Sequence, residues 1–559
     1  MENELPGFIV VGSGPAGMTA ALTGSMLGLK VKILEKSEVI GGTTSLSAGS
    51  VWIPNSMHST PGADSDKKTR TYLRKTVGNR LKPELCDAFL KHGPAMIRFL
   101  SDTDVKFRAY PKHPDYFADA EGATLSGRAL EPLPFNGASL GADFHRLRDP
   151  LPEFTILGGR MVDRDDIAKL LNAAQNLSSF AQSSQLLARY VLDRLRFHRG
   201  TRLVMGNALV GRLYSSLRKQ GVRVDTGTNV TGLTKENNKV IGVEIKNNRQ
   251  TGLALAKHGV ILASGGFSRH PELRRSLLPE PLAQFSPLPE TITGDGVSIG
   301  IDAGGFIGNG HAENCFWTPV SVRKRKDGSM TVFPHFVLDR GKPGLIAVDR
   351  NGRRFVSEAT DYHSFGKEMY TNKTRGTIPC YFVCDYNFIQ KYGLSMVRPR
   401  ASNLSNLVSE GYVVKGETIT ALAKELRIDS HGLLAEVKTQ NEYAQSGVDT
   451  EFGNGRNSYE RNLGDHRHRP NPCPGPIKKP PFFFAIKVYP GDLGASIGLV
   501  TDKNAQVIKS GNGPISGLYA CESDMDSMMA GVYPGPGITI GPAMMFDYIA
   551  AKHIAGNIS

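Results

Sequence analysis

The chain has 559 residues, enough for two or three domains or one large α/β body with an insertion. Hydrophobic residues make up 40% and glycines number 62, which marks a turn-rich globular protein. No apolar run approaches the roughly 18 residues of a membrane-spanning helix, and the net charge of +14 comes without a recognisable nucleic-acid-binding motif. MENELPGF lacks the basic and apolar regions of a secretory signal, so a cytoplasmic location is expected. The six cysteines, Cys86, Cys315, Cys380, Cys384, Cys473 and Cys521, form no metal-ligand pattern and fit a reducing compartment.

Phe8 to Val11 is a short apolar run that predicts a buried strand. Gly12-Ser13-Gly14-Pro15-Ala16-Gly17 follows at once, then a small-residue helix from Ala16 to about Leu27. Gly28 ends the helix, and Lys30 to Leu34 predicts a second strand finishing on Glu35 and Lys36. This order is that of a dinucleotide site. Gly12 makes the tight turn, Gly14 admits a pyrophosphate to the backbone, and Gly17 lets helix pack on strand. The helix N-terminus supplies N–H groups and partial positive charge, and Glu35 stands where a carboxylate takes a ribose hydroxyl. The plainer alternative is a glycine turn in an ordinary βαβ unit.

Gly41-Gly42-Thr43-Thr44-Ser45 and Ala48-Gly49 come next, a turn that suits flavin better than NAD. Residues 66–102 predict helices, 110–160 are loop-rich, and 165–219 predict helices again. That last segment is basic, and LLARYVLDRLRFHRG mixes apolar and basic residues at helical spacing. It reads either as solvated helix faces or as a surface meeting anionic lipid. A strand at Val222 and Val224, a hairpin over Val230 to Ile245 and a strand over Gly259 to Ala263 follow. Asp295 in TGDG opens a short helix that returns to the cofactor. The different block over 296–485 reads as an inserted cap, and its Pro-rich end RHRPNPCPGPIKKPP is a loop. The expected organisation is α/β: a Rossmann-like FAD-binding domain of glutathione-reductase type over 1–295 plus 486–559, with an α+β catalytic cap over 296–485.

Across nearly its whole length the chain resembles the flavin-dependent 3-ketosteroid dehydrogenases that introduce a 1,2 double bond, within the fumarate-reductase/succinate-dehydrogenase flavoprotein group. The motifs are GSGPAG, GGTTSLSAGSVWIPN, PDYF, ASGGF, TGDG, LDRGKPGLIAVDRNGRRFVSE, YERNLGD, PGDLGASIG and YPGPGITIGPAM. The resemblance implies FAD held by Gly12, Ser13, Gly14, Pro15, Ala16, Gly17, Glu35, Lys36, Gly42, Thr43, Thr44, Ser47, Gly49, Val230, Asp295, Glu522, Ile538 and Ile540. Glu522-Ser523 replaces the family's usual Gly-Asn pair, and Glu522 is expected on the ribityl chain.

The resemblance also implies four catalytic residues. The Tyr533 hydroxyl and Gly537 N–H would bind the C3 ketone oxygen, Tyr362 would take the C2 proton, and Tyr116 would hydrogen-bond to that base. A C1–C2 bond beside a ketone is inert until C2 is acidified, and two donors on the oxygen stabilise the developing enolate. Hydride then passes from C1 to flavin N5. A tyrosine at its ordinary pKa of about 10 is a poor base, so Tyr116 is expected to favour the phenolate of Tyr362. The alternatives are a Δ4-dehydrogenase with the same machinery, a fumarate-reductase-like enzyme, and a flavoprotein that binds without turnover. The reductase lacks an arginine at the base position in ATDYHSF, leaving only His363 to serve it. The partners expected are a 3-ketosteroid or sterol-derived substrate, an electron acceptor left open, no nucleic acid, and a peripheral contact with the inner face of a membrane.

Overall fold

A computed structural model describes residues 5–556 except 61, 173–175, 248–250, 338, 402, 479–480 and 512. Small parts of the helical stretch expected over 165–219 and of the Pro-rich loop lie outside the described residues. Phe8–Val11 is buried at every position and runs parallel between Val31–Leu34 and Gly259–Leu262. Strands covered on both faces read as unbroken apolar runs, which is why FIVV and GVIL show no alternation. Arg223–Asp225 and Pro514–Ala520 extend this sheet on its two sides, and antiparallel Gln506–Ile508 closes one edge. The helix Pro15–Met26 lies against the terminal helix Ile540–Ile554. A three-stranded antiparallel layer, Asn229–Glu236, Lys239–Lys246 and Thr251–Leu255, contains the expected hairpin and one strand more.

A second, antiparallel sheet builds the cap. Its order is Met330–Pro334, Cys315–Lys324, Phe483–Ala495, Cys380–Asp385, Leu345–Val348, with Val414–Gly416 also on Phe483–Ala495. Phe483–Ala495 is the shared spine: Cys380–Asp385 pairs with its first half and Cys315–Lys324 with its second. A boundary at 485/486 therefore cuts this strand, and the chain rejoins the first sheet only at Gln506–Ile508. The apolar run FFAIKV announces burial but not which sheet recruits it.

The helices Asp66–Val77, Pro83–Ser101, Leu177–Arg194 and Met205–Lys219 lie where the periodicity predicts. The sequence reading leaves the helices Tyr362–Thr371 and Ser430–Ser446 unassigned. Tyr362–Thr371 starts where it does because Asp361 caps it, its Oδ1 accepting from Ser364 N at 2.9 Å. That cap sets Tyr362 as the first helical residue.

All six cysteines are buried free thiols. No helix among the described residues is long and apolar enough to cross a membrane, and none of their His, Cys, Asp and Glu side chains cluster as metal ligands.

Candidate active site

The ends of the parallel strands open onto a cavity of about 580 Å³. Ligands in open α/β sheets sit outside the carboxyl ends of the strands. Of the residues expected on the cofactor, Gly12, Ser13, Gly14, Glu35, Lys36, Gly42, Thr43, Val230, Asp295 and Glu522 line it. Gly12 has φ +112, and a Cβ there would lie 2.0 Å from the Ala263 carbonyl oxygen, so only glycine fits the turn. No side chain caps the Pro15–Met26 helix at Gly14, so the N–H groups of its first turn are left for an anion. Glu35 is held by the Ser13 N–H at 2.9 Å, the Ser13 hydroxyl at 2.7 Å and the Ser37 N–H at 2.7 Å. Lys36 pairs with Asp295 at 2.8 Å across the mouth. Free amides, a glycine turn and a fixed carboxylate suit the diphosphate and ribose of a dinucleotide.

Other expected residues stand one layer behind. Gly17 packs on Gly12 and Val10, and Gly49 packs on Gly206 at the start of the helix Met205–Lys219. The Ser47 hydroxyl donates to the Thr44 carbonyl and accepts from Gly49 N–H, forming the turn itself. Pro15 and Ala16 are buried in the first helical turn, and Ile540 opens the terminal helix. Thr228, Asn229, Thr291 and Ile292 also line the cavity but carry no motif of their own. Ser264 and Gly265, which line it too, belong to the ASGGF motif and follow the strand Gly259–Leu262 after Ala263.

A second, mostly apolar cavity of about 380 Å³ adjoins the first through Glu522 and includes Phe316, Met525, Met528, Ile538, Thr539 and Phe546. Beyond Phe316 stands Tyr533, with ring centroids 5.3 Å apart. Tyr362 lies 5.1 Å from Tyr533 and 5.6 Å from Tyr116, and Tyr116 lies 5.7 Å from Tyr533, centroid to centroid. The three expected catalytic tyrosines, far apart in sequence, thus form one buried group. Gly537 has φ +91, and a Cβ there would sit 2.4 Å from Ser50 O. Its carbonyl accepts from Trp52 N at 3.1 Å, and among the described residues its N–H meets no acceptor.

The phenols are fixed from behind. Tyr116 N donates to Pro534 O at 3.0 Å, and the Tyr72 hydroxyl donates to the same oxygen at 2.6 Å, so PDYF and YPGPG are laced together. Next to Tyr116, buried Asp115 accepts from Trp52 Nε1 at 3.0 Å, Thr124 N at 2.9 Å and Arg128 Nη1 at 2.7 Å. Arg128 also reaches Asp64 at 2.7 Å.

Burial pushes Tyr116, Tyr362 and Tyr533 above the ordinary phenol pKa. The mutual interaction of Tyr362 and Tyr116 raises Tyr362 further and holds Tyr116 down. Burial lowers His363 to about 4. Its Nδ1 accepts from Trp317 N at 3.0 Å and its Nε2 donates to Gly531 O at 3.1 Å, so it is a neutral framework residue.

Sequence reasoning missed Tyr459. Its ring lies 4.6 Å from that of Tyr116, on the helix Ser458–Leu463. The signal was present in the YERNLGD motif. A Ser321–His335–Asp339 chain has hydrolase-like distances, 2.9 Å and 2.7 Å, but all three residues are buried in the cap and Ser321 is also bonded to Tyr412. Those contacts make it a structural network.

The FAD binding domain family matches residues 7–540 of this chain. A 3-oxosteroid 1-dehydrogenase of Mycobacterium tuberculosis is 34% identical over 564 residues, covering 98% of each chain. The chain belongs to the flavoprotein family of the 3-ketosteroid Δ1-dehydrogenases. It is an FAD-dependent oxidoreductase of the kind that acts on CH–CH donors. The crystal structure of a 3-ketosteroid delta1-dehydrogenase from Sterolibacterium denitrificans in complex with 1,4-androstadiene-3,17-dione matches with a TM-score of 0.91 and 33% identity, covering 99% of this chain and 100% of that one. A 4-oxocyclohex-2-ene-1-carboxylate 5-dehydrogenase of Sinomonas cyclohexanicum is also 34% identical, over 555 residues, 98% of this chain and 93% of its own.

Proposed function

We propose that the protein removes hydrogen across C1–C2 of a 3-ketosteroid. One observation carries this reading: Tyr362 and Tyr533, from distant segments, stand 5.1 Å apart beside an apolar cavity that adjoins the dinucleotide cavity. The Tyr533 hydroxyl and the free Gly537 N–H grip the ketone oxygen and stabilise charge as it becomes an enolate. Tyr362, as its phenolate, accepts the C2 proton at the phenolic oxygen, and Tyr116 hydrogen-bonds to that oxygen. FAD, when bound, supplies the acceptor for the hydride that leaves C1, and the C1=C2 bond forms. Because Tyr362 is raised by its surroundings, its phenolate is strongly basic but scarce at neutral pH, and polarisation of the ketone acidifies C2 toward it.

The likeness to an enzyme named for 4-oxocyclohex-2-ene-1-carboxylate supports a second reading, a smaller ring ketone carrying a carboxylate. The two readings share the ketone grip. Arg340, which acts on Tyr459, commits its guanidinium to the carbonyls of His335, Phe336, Glu358 and Thr360. A cation so occupied does not serve a substrate carboxylate, which favours the steroid. Anaerobic mixing with androst-4-ene-3,17-dione, cholest-4-en-3-one and 4-oxocyclohexanecarboxylate, followed by flavin absorbance, tests this. Bleaching by the carboxylate alone, or by none of the three, sinks the steroid reading. Both steroids already carry the 4,5 double bond, so conversion to a 1,4-dienone, read by ultraviolet absorbance, marks Δ1 chemistry, whereas a Δ4-dehydrogenase leaves them unchanged.

The helix Leu177–Arg194 and its extension supply the proposed membrane contact. Leu177, Leu192 and Leu195 are 87%, 66% and 77% exposed, beside exposed Arg189, Arg194 and Arg196. Other basic residues of the segment are already paired: Arg199 with Asp149, Arg202 with Asp163, Arg218 with Asp143 and Lys219 with Asp104. Co-sedimentation with anionic but not neutral vesicles is the outcome this contact requires.

A further inference from the structure

Glu522 follows the strand Pro514–Ala520 at the floor of the cofactor cavity. It lines both the dinucleotide cavity and the apolar one beside it. Its backbone is left-handed at φ +56, a conformation that residues with side chains adopt rarely. A Cβ built on Gly14 would lie 3.2 Å from Glu522 Oε2, so the carboxyl rests against the phosphate turn.

The acids around it are held in ways that Glu522 is not. Asp524 accepts from the Ser264 N–H, the Ser264 hydroxyl and the Gly266 N–H. Glu35 is held by Ser13 and Ser37, and Asp295 by Lys36. On the terminal helix, Asp547 faces Cys521 and Glu522, and burial and Glu522 push it well above the carboxylate range. Among the described residues, Glu522 meets no hydrogen-bond donor or cation; the groups acting on it are Asp524 and Glu35, both acids.

We propose that FAD stays bound only while Glu522 carries a proton, the neutral carboxyl donating to an oxygen of the dinucleotide, so that alkaline pH releases the cofactor. A diphosphate seated at the Gly14–Pro15 helix end brings negative charge onto the same turn. A second anion there, out of water, is repelled strongly, whereas a carboxylic acid is a donor. Burial, Asp524 and Glu35 already push the free carboxyl up to about 8. Below that pH the site is ready for the cofactor; above it, binding must bring a proton along.

The test is the pH dependence of FAD affinity between pH 6.5 and 9.5 at constant ionic strength, read by flavin fluorescence. Calorimetry in buffers of different ionisation enthalpy counts the protons taken up. Wild type should bind equally well up to about pH 7, then lose affinity toward tenfold per pH unit, with uptake approaching one proton per FAD. Glu522→Gln, a permanent neutral donor, should match wild type at pH 6.5, keep its affinity at pH 9.5 and take up no proton. The idea is overturned if wild-type affinity is flat with no proton uptake, or if Glu522→Gln binds weakly at every pH, as loss of a charged acceptor would cause. Should the variant fold poorly, FAD release from wild-type holoenzyme decides: equal half-times at pH 7 and 9.5 overturn the proposal, and faster release at pH 9.5 is the expected result. None of these readouts depends on which substrate the enzyme dehydrogenates.

Discussion

At the dinucleotide cavity the groups facing a ligand are main-chain amides, the glycines that expose them and charged side chains such as Glu35, Lys36 and Asp295. At the tyrosine cluster the chemistry rests on neutral phenols of Tyr116, Tyr362 and Tyr533 and one main-chain N–H, from Gly537, with Asp361 acting on Tyr116 and Tyr533 and the Asp115–Arg128–Asp64 network set behind Tyr116. The first region binds a charged partner and can keep its own charges near water. The second must make and lose charge only during reaction, and burial there raises each phenol. Cofactor retention and turnover are therefore separable properties of neighbouring sites, and substitutions should affect one without the other.

The sharpest separation is Tyr362→Phe. Removing the base should slow flavin reduction by about 10²–10⁴-fold while FAD content stays at the wild-type level, measured by rapid mixing with the ketone. A variant as fast as wild type would remove Tyr362 from the mechanism. Next comes Asp115→Asn. Leaving Arg128 short of one buried partner should cost roughly 3–5 kcal/mol of stability, read in chemical denaturation, because the guanidinium is almost wholly buried. Unchanged stability would mean that Asp64 alone satisfies Arg128.

Tyr533→Phe removes one of two donors on the ketone oxygen and should cost about 10²–10³-fold in reduction rate, again with FAD retained. Loss of FAD in that variant would break the separation of the two regions. The last separation is in the pH profile, where the change per pH unit is small. A base pushed above its usual range is still protonated at neutral pH, so the fraction ready to accept a proton grows with pH. Measured with enough FAD to keep the site filled at each pH, flavin reduction should rise toward tenfold per pH unit and reach no plateau below about pH 10. A plateau near pH 7 would show that substrate binding lowers Tyr362 in a way absent from the free protein.

The first helix and its flanking strands were legible because each step is local: an apolar strand, a glycine turn, a helix and a second strand within residues 8–36. Tyr116, Tyr362, Tyr533 and Gly537 were named through motif likeness, and the structure brings the three phenols together. Tyr459 carried the same kind of motif but no assigned role, and only its tilted ring contact with Tyr116 reveals its place. The strand Phe483–Ala495 shows where local reading stops: its apolar pattern is plain, yet its partners, Cys380–Asp385 and Cys315–Lys324, are scores of residues away.

By itself, then, the sequence determined the cofactor class, the α/β character and most element positions, because turn stereochemistry and apolar periodicity act over a few residues. Tertiary structure alone decided which sheet owns the long strand, that three distant phenols share one buried site, and that Glu522 stands unheld on the phosphate turn. Those depend on burial and on distant neighbours, and the energies of charge and packing are set by what surrounds a group rather than by what precedes it in the chain.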